Sequence, residues 1–335
     1  MFFEQQLNRE GEDEDQEGVR REEREMSDVH KKVNIIDNKD EITEREITEG
    51  PRISELQEVP STGSNRNTNL CDCISWNING LNSPIKQKKL FKYLQIQKAD
   101  IIALQEVHIA QKQKYLLENK KLGNLFLALD QKKKKGIVLY IKDWIPASLI
   151  YSDKEGRTLM VEVEIRKTKT LLVVIYAPNG PQESLFQKLH NKLKELQYQE
   201  LCIIGDFNAV IDKSLDYKGN NTNLEKKKKL PKVFLDLTKE FNISDVWRER
   251  NIGKKQFTYY SNCHMSWSRL DMMWMTKKLN SEILDITMEP NVLADHNMIS
   301  IELYLAKEKA KGKIKTITGC HGEMGVWPPR LGAVP

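Results

Sequence analysis

"LCIIGDFNAV", residues 201–210, runs an apolar segment straight into Gly205, Asp206 and Asn208. Gly, Asp and Asn are ordinary turn residues, so alone this reads as a buried strand ending in a turn. Its neighbours widen the reading. "CISWNI", "DIIAL", "GIVLYI", "MVEVEI", "TLLVVIY", "RLDMMWM" and "MISIELYL" are strand-like runs of the same kind. Helical stretches fall between them. "SPIKQKKLFKYLQI" offers Ser83 as N-cap and Pro84 as first helical residue. "PQESLFQKLHNKLKEL" spaces Leu185, Leu189, Leu193 and Leu196 along one helical face, and "LPKVFLDLTKEF" predicts a helix from Pro231. Strands mixed with helices imply an α/β fold of sheets covered by helices.

Polar residues recur just past the apolar runs. Asn77 and Asn79 follow the first, Glu106 the second, and Tyr176 and Asn179 close "LLVVIYAPN". Asp206 and Asn208 follow "LCIIG", Asp271 sits in "SRLDMMW", and Asp295 and His296 precede the last run. Polar groups at strand ends converge on one rim of an α/β layer structure, where active sites form. Each alone fits a turn or cap; together they point to a site.

The inventory also selects chemistry. Oxygen donors without paired cysteines suit a hard ion such as Mg²⁺. The five cysteines show no metal-ligand spacing, and Cys71 and Cys73 alternate as small buried strand residues. No phosphate loop of the Gly-x-x-x-x-Gly-Lys-Ser/Thr type and no Gly-x-Ser-x-Gly elbow is present. Metal-assisted hydrolysis of a phosphodiester fits these residues best.

Charge is unevenly placed along the 335 residues. Residues 1–70 carry 19 acidic and 10 basic side chains, and residues 71–335 carry 29 and 43. A basic body suits a polyanionic partner such as nucleic acid, although solvated lysine is the commoner explanation. The "KKKK" runs at 132–135 and 226–229 read as loops or solvated faces. Residues 1–66 are expected to be a disordered acidic leader, 67–306 the folded domain and 307–335 a disordered tail. The start lacks a signal-peptide pattern and no apolar run reaches membrane-spanning length. An intracellular chain is expected, nuclear if it acts on chromosomal DNA.

Taken in order, "WNINGLNS", "LQEVH", "IYAPN", "GDFNAV", "SRLDMMW" and "ADHNMI" resemble the endonuclease/exonuclease/phosphatase superfamily. They are most similar to the apurinic-like endonuclease domain of non-LTR (long interspersed element) retrotransposons, over roughly residues 70–306. The resemblance implies a four-layered α/β sandwich, two packed β-sheets flanked by helices. It implies a monomeric endonuclease that uses Mg²⁺, with Mn²⁺ as a substitute, to nick double-stranded DNA and leave a 3′-hydroxyl. Glu106 then matches the principal metal ligand, with Asn77 beside it and Asp295 near the metal. Asp206 matches the residue that activates water, and Asn208 and Tyr176 match contacts to the scissile phosphate. His296, held by Asp271, matches the pair that stabilises transition-state charge. Asn79 is expected to be a turn residue and His108 a support of the rim. Thr258 and Ser268 bracket "TYYSNCHMSWS", which matches a DNA-contacting hairpin that includes Tyr259.

One position departs from the family: Ala294 stands where it has Ser, which removes a hydroxyl near His296. No reverse-transcriptase region follows, which suits a fragment of a longer retrotransposon protein or a host reading frame derived from one. Two other functions compete. One is a weakened or inactive relic that binds DNA or protein, and the other a phosphodiesterase of the same superfamily acting on lipids or small molecules.

Overall fold

The computed structural model describes residues 70–219, 227–290 and 293–304, so the expected leader at 1–66, the tail at 307–335 and Cys320 lie outside the described residues. In chain order the elements begin with β1 (Leu70–Asn77), α1 (Pro84–Gln97), β2 (Ile101–Gln105), a 3₁₀ helix (Gln111–Leu117), β3 (Asn124–Ala128) and β4 (Ile137–Ile141). There follow β5 (Ala147–Ser152), β6 (Thr158–Ile165), β7 (Thr168–Tyr176), α2 (Glu183–Glu195), β8 (Glu200–Asp206) and β9 (Tyr217–Lys218). Next come α3 (Lys232–Glu240), β10 (Ile243–Asp245), α4 (Val246–Arg250), β11 (Tyr259–Ser261) and β12 (Ser266–Ser268). The series closes with β13 (Asp271–Thr276), α5 (Lys277–Ser281), β14 (Ile283–Glu289) and β15 (Met298–Tyr304).

Two six-stranded sheets form, in the orders β14-β15-β1-β2-β4-β3 and β10-β13-β8-β7-β6-β5. Alternation of side chains along each strand sorts residues into three cores. Cys71 and Cys73 of β1 meet Val174 of β7, Cys202 and Ile204 of β8 and Met273 of β13 between the sheets. On the outer face of the first sheet, Ile74 and Trp76 pack with Leu90 and Leu94 of α1. On the outer face of the second, Val173 and Ile203 pack with Phe186 of α2 and Phe234 of α3. Helix, sheet, sheet, helix is the expected four-layered α/β sandwich.

The helices obey their local signals. Ser83 caps α1, its Oγ accepting from Lys86 N at 3.4 Å, and Lys98 ends the helix in the left-handed region. In α2 the buried stripe is Phe186, Leu189 and Leu193. Leu185 and Leu196 only flank it, because the inward face falls on the 186-189-193 spacing and Leu196 lies past the last turn. Pro231 precedes α3 as its N-cap.

Gly205 is a requirement of the fold. Its φ is +134°, and a Cβ there would stand 2.0 Å from the Ile175 carbonyl oxygen of β7. Gly205→Ala is therefore expected to destabilise the domain by more than about 4 kcal/mol, in the exceptional range for one substitution. Thermal unfolding checks this, and an unchanged melting temperature would mean that β7 and β8 shift apart at no cost.

Candidate active site

The site is the polar end of the inter-sheet core. Every second residue of β8 faces inward, so Cys202 and Ile204 lead to Asp206. The same count carries Leu172 and Val174 to Tyr176 on β7, Met275 and Met273 back to Asp271 on β13, and Cys71 and Cys73 to Asn77 on β1. Register then aligns three of these groups. Tyr176 pairs with Asp206 across the parallel β7–β8 ladder, and Asp271 pairs with Asp206 across the antiparallel β8–β13 ladder.

Asp206 is fully buried. Its Oδ2 accepts from Asn77 Nδ2 of the opposite sheet at 2.9 Å and from Asn208 Nδ2 at 3.0 Å. Its Oδ1 accepts from the Asn208 backbone N–H at 2.8 Å. Burial, then the Asp271 carboxylate, raises its pKa above the ordinary carboxylate value, and His296 and the hydrogen bonds only partly oppose them. Both amide hydrogens of Asn208 are engaged, the second by the Ala177 carbonyl at 2.9 Å. Asn208 thus positions Asp206, and an expected phosphate contact would cost it one of these bonds.

His296 Nδ1 lies 2.7 Å from Asp271 Oδ2, and both residues are buried. Burial alone would lower the imidazole pKa, but Asp271 and its hydrogen bond outweigh that, so the pKa is raised and the charged form favoured. The loop is fixed by Trp76 Nε1 donating to the His296 carbonyl at 2.9 Å. Ala294 packs against the outer core of the first sheet, so its methyl fills space while the His296–Asp271 bond stays formed.

Glu106 follows β2 with φ +55°, which turns its carboxylate toward Tyr176. The Tyr176 hydroxyl donates to Glu106 Oε1. Burial and then Glu106 hold that hydroxyl protonated, its pKa raised well above the usual phenol value. Tyr176 is thereby tied to the acidic rim, and the Arg157 guanidinium covers its ring at 4.8 Å. Asp295 is exposed, yet its field and that of Glu106 both reach the Lys86 ammonium and the Tyr259 hydroxyl, which places the two carboxylates on one rim. Asn77 Oδ1 accepts from Asn79 N at 3.0 Å. Asn79 is an exposed turn residue with φ +43°, as expected, and the His108 ring backs Gly80.

Candidate ligating atoms of Asp206, Asp271 and His296 lie within 4.8 Å of one another. His296 has Nδ1 engaged by Asp271, and a charged imidazole has no lone pair to give a cation. Glu106, Asp295 and Asn77 instead offer oxygen donors of the kind that hard divalent cations take, so this rim could hold Mg²⁺ or Mn²⁺.

The hairpin of β11 and β12 differs from expectation in which side chains it presents. Thr258 and Ser268 are buried. Thr258 Oγ1 accepts from the backbone N–H groups of Leu270 at 3.0 Å and Asp271 at 3.1 Å, so it positions the start of β13 instead of facing a duplex. Ser268, buried, pairs with Tyr217 and Tyr259 in a third, three-stranded sheet of order β11-β12-β9. The Tyr259 ring lies 4.7 Å from the His296 ring, and Tyr259 is therefore part of the wall of the site. The exposed part of the hairpin is its tip, residues 262–265, where Met265 is 70% exposed.

Three groups escaped the sequence reading. Lys86 Nζ donates to the Ile78 carbonyl at 2.6 Å and the Asn79 carbonyl at 3.2 Å, holding the loop after β1. Its place three residues after the N-cap Ser83 is the signal that could have found it. Lys227, from a run read as solvated, is half-buried beneath the rim. Arg269 is fully buried, with Nε 2.8 Å from Asp216 Oδ1 and Nη2 2.7 Å from Asp245 Oδ2, and locks β9 and β10 beside Asp271.

Comparison with known proteins agrees with this architecture. A family model described as the Endonuclease/Exonuclease/phosphatase family matches residues 74–272. The chain is 26% identical over 243 residues to the "Transposon TX1 uncharacterized 149 kDa protein" of Xenopus laevis, covering 70% of this chain and 18% of that protein. It thus spans less than a fifth of that relative's length. Among solved structures it is similar to the AP endonuclease LMAP from Leishmania major, with a TM-score of 0.61 and 16% identity, covering 77% of this chain and 93% of that one. It is also similar to a variant of the 3′ phosphatase NExo from Neisseria bound to product DNA hairpin, with a TM-score of 0.56 and 15% identity, covering 70% and 99%.

Proposed function

Because the chain belongs to the endonuclease/exonuclease/phosphatase family, we propose that it is a divalent-metal-dependent DNA endonuclease of the retrotransposon type. It nicks one strand of double-stranded DNA by hydrolysis and leaves a 3′-hydroxyl. One observation carries this reading: a buried, hydrogen-bonded Asp206 stands in register with Asp271, whose carboxylate holds His296.

Each residue has a task in that reaction. Asp206, its pKa raised by burial, takes the proton of the attacking water, and Asn77 and Asn208 fix the direction of its carboxylate. The water oxygen bonds to phosphorus as the P–O3′ bond breaks, and the departing O3′ takes a proton from solvent. His296, kept charged by Asp271, stabilises the negative charge that builds on the phosphate oxygens. Glu106, with Asn77 and Asp295, would hold Mg²⁺ or Mn²⁺, which would supply Lewis-acid stabilisation of the phosphate when bound. Tyr176 orients Glu106 and keeps its proton while doing so.

The transposon relative, and the words AP endonuclease and DNA hairpin in the names of the similar structures, support a DNA substrate. Among the described residues no helix is long and apolar enough to cross a membrane, and a nuclear place follows if chromosomal DNA is the target. The test is nicking of supercoiled plasmid with Mg²⁺, with Mn²⁺ and with EDTA. Metal-dependent open circles with 3′ ends that a polymerase extends are expected. An intact plasmid under all three conditions would remove the nuclease reading in favour of a binding relic.

Target choice gives a separate expectation. Replacing residues 262–265 with a Gly/Ser turn removes the exposed tip but spares Tyr259 beside His296. Nick positions on a labelled duplex should then redistribute, while the total rate changes by no more than about tenfold, because groove contacts select sites and phosphate contacts give affinity. An unchanged ladder would place selection elsewhere.

A further inference from the structure

Of the "KKKK" run at 226–229, residues 227–229 are described, and their three side chains have different fates. Lys229 is exposed. Lys228 Nζ donates to the carbonyls of Pro178, at 3.2 Å, and Gly180, pinning the loop after β7. Lys227 alone is drawn under the rim. Its ammonium stands 5.7 Å from the centre of the Tyr217 ring, and its segment is tied to the turn after Asp206 by the Val210 N–H donating to the Lys228 carbonyl at 3.0 Å, so that the field of Asp206 reaches it. Tyr217 is itself buried and anchored by β9 pairing with Trp267 and Ser268 of β12. Among the described residues, no hydrogen bond or ion pair compensates the Lys227 ammonium.

A partly desolvated cation without a counter-ion is costly, and fixed protein anions normally compensate it. Here the aromatic face of Tyr217 does so weakly. Asp206 is shared with Asn77 and Asn208. Burial lowers the Lys227 pKa to about 8, against the opposing pull of Asp206. Arrival of an anion would relieve this state, and the anion that must come to Asp206 during catalysis is the substrate phosphate.

Resting on the nuclease reading above, we propose that Lys227 binds a non-bridging oxygen of the scissile phosphate and stabilises the charge that builds there during attack. Lys227 is then a catalytic residue for the phosphate, sharing with His296 the charge that neither neutralises alone. Its ammonium is held over the face of a buried Tyr217 ring, 5.7 Å from the ring centre.

The experiment compares wild type, Lys227→Met, Lys227→Arg and, as a control, Lys229→Met. Met keeps an unbranched side chain of similar length without the charge, and thermal unfolding of each variant confirms that the fold is retained. Single-turnover nicking at saturating protein, with Mg²⁺, gives the chemical rate, and anisotropy of a labelled duplex in EDTA gives affinity. Lys227→Met is expected to lower the saturated rate by a factor on the order of 10², as loss of one preorganised charge-stabilising donor does, with affinity changed less than about tenfold. Lys227→Arg should recover most of that rate, and Lys229→Met should match wild type. Lost affinity with an unchanged saturated rate would overturn the proposal by making Lys227 an outlying backbone contact, and an unchanged rate and affinity would make it a solvated lysine. In both cases wild type nicks, so the nuclease reading survives; a wild type that never nicks overturns both.

Discussion

Glu106→Ala is expected to lower metal-dependent nicking by a factor on the order of 10³ or more. A bound cation contributes several kcal/mol of transition-state stabilisation, and each ~1.4 kcal/mol is a factor of ten. The same change removes the acceptor of the Tyr176 hydroxyl, a loss of about 1–3 kcal/mol if that group stays unpaired. Glu106→Gln separates the two effects. Its amide oxygen still accepts from Tyr176, so the melting temperature should stay near wild type, but the anionic ligand is gone. Metal titration of single-turnover nicking should show both variants needing far more Mg²⁺, or failing to saturate. A Glu106→Gln protein with the wild-type metal requirement would take Glu106 out of the metal site and leave it as Tyr176's partner alone.

The second large effect concerns His296 and Asp271. Each single Ala replacement is expected to slow the chemical step by something on the order of 10²–10⁴. The double replacement should be little slower than the worse single one, because paired residues act as one unit. Stability should follow a different order. Removing His296 leaves Asp271 buried in register with Asp206, two carboxylates without the imidazole charge between them. Breaking one side of such a buried pair costs about 3–5 kcal/mol. Thermal unfolding should therefore find His296→Ala less stable than the double variant, even though their rates are similar. Multiplicative rate losses would show that the two side chains act independently.

Strand parity made much of this legible in the sequence. Eight strand-like runs, those of β1, β2, β4, β6, β7, β8, β13 and β15, stand out because they are largely buried: β2, β4 and β8 are buried at every residue, whereas β6 and β15 alternate with Glu and Ser on a wetter face. Within the two six-stranded sheets the strands that escape, β3, β5, β10 and β14, are the four margins. There one side meets solvent, as in β5, where Leu149 and Ile150 are exposed. The site divides in the same way. Asn77, Tyr176, Asp206 and Asp271 continue inward-facing rows, so their positions follow from counting by twos. Lys86, on a helix, and Lys227, in a loop, have long side chains, and nothing in local spacing says where such a chain ends. Thr258 reads as a polar hairpin residue, yet its hydroxyl accepts from two amides at the start of β13. That role depends on a turn of the backbone that sequence pattern does not encode.

The order in which the sheets are assembled from the chain also has a consequence for synthesis. The second sheet is built from residues between β5 and β13, whereas the first is left open until β14 and β15 arrive. β15 lies between β14 and β1, and His296 immediately precedes it. A nascent chain that has emerged only as far as residue 290 already carries Glu106, Asp206 and Asp271, yet β1 has an unpaired edge and Asp271 has no imidazole. On the nuclease reading proposed above, a chain that stops before His296 lacks both the imidazole that pairs with Asp271 and the strand that pairs with β1.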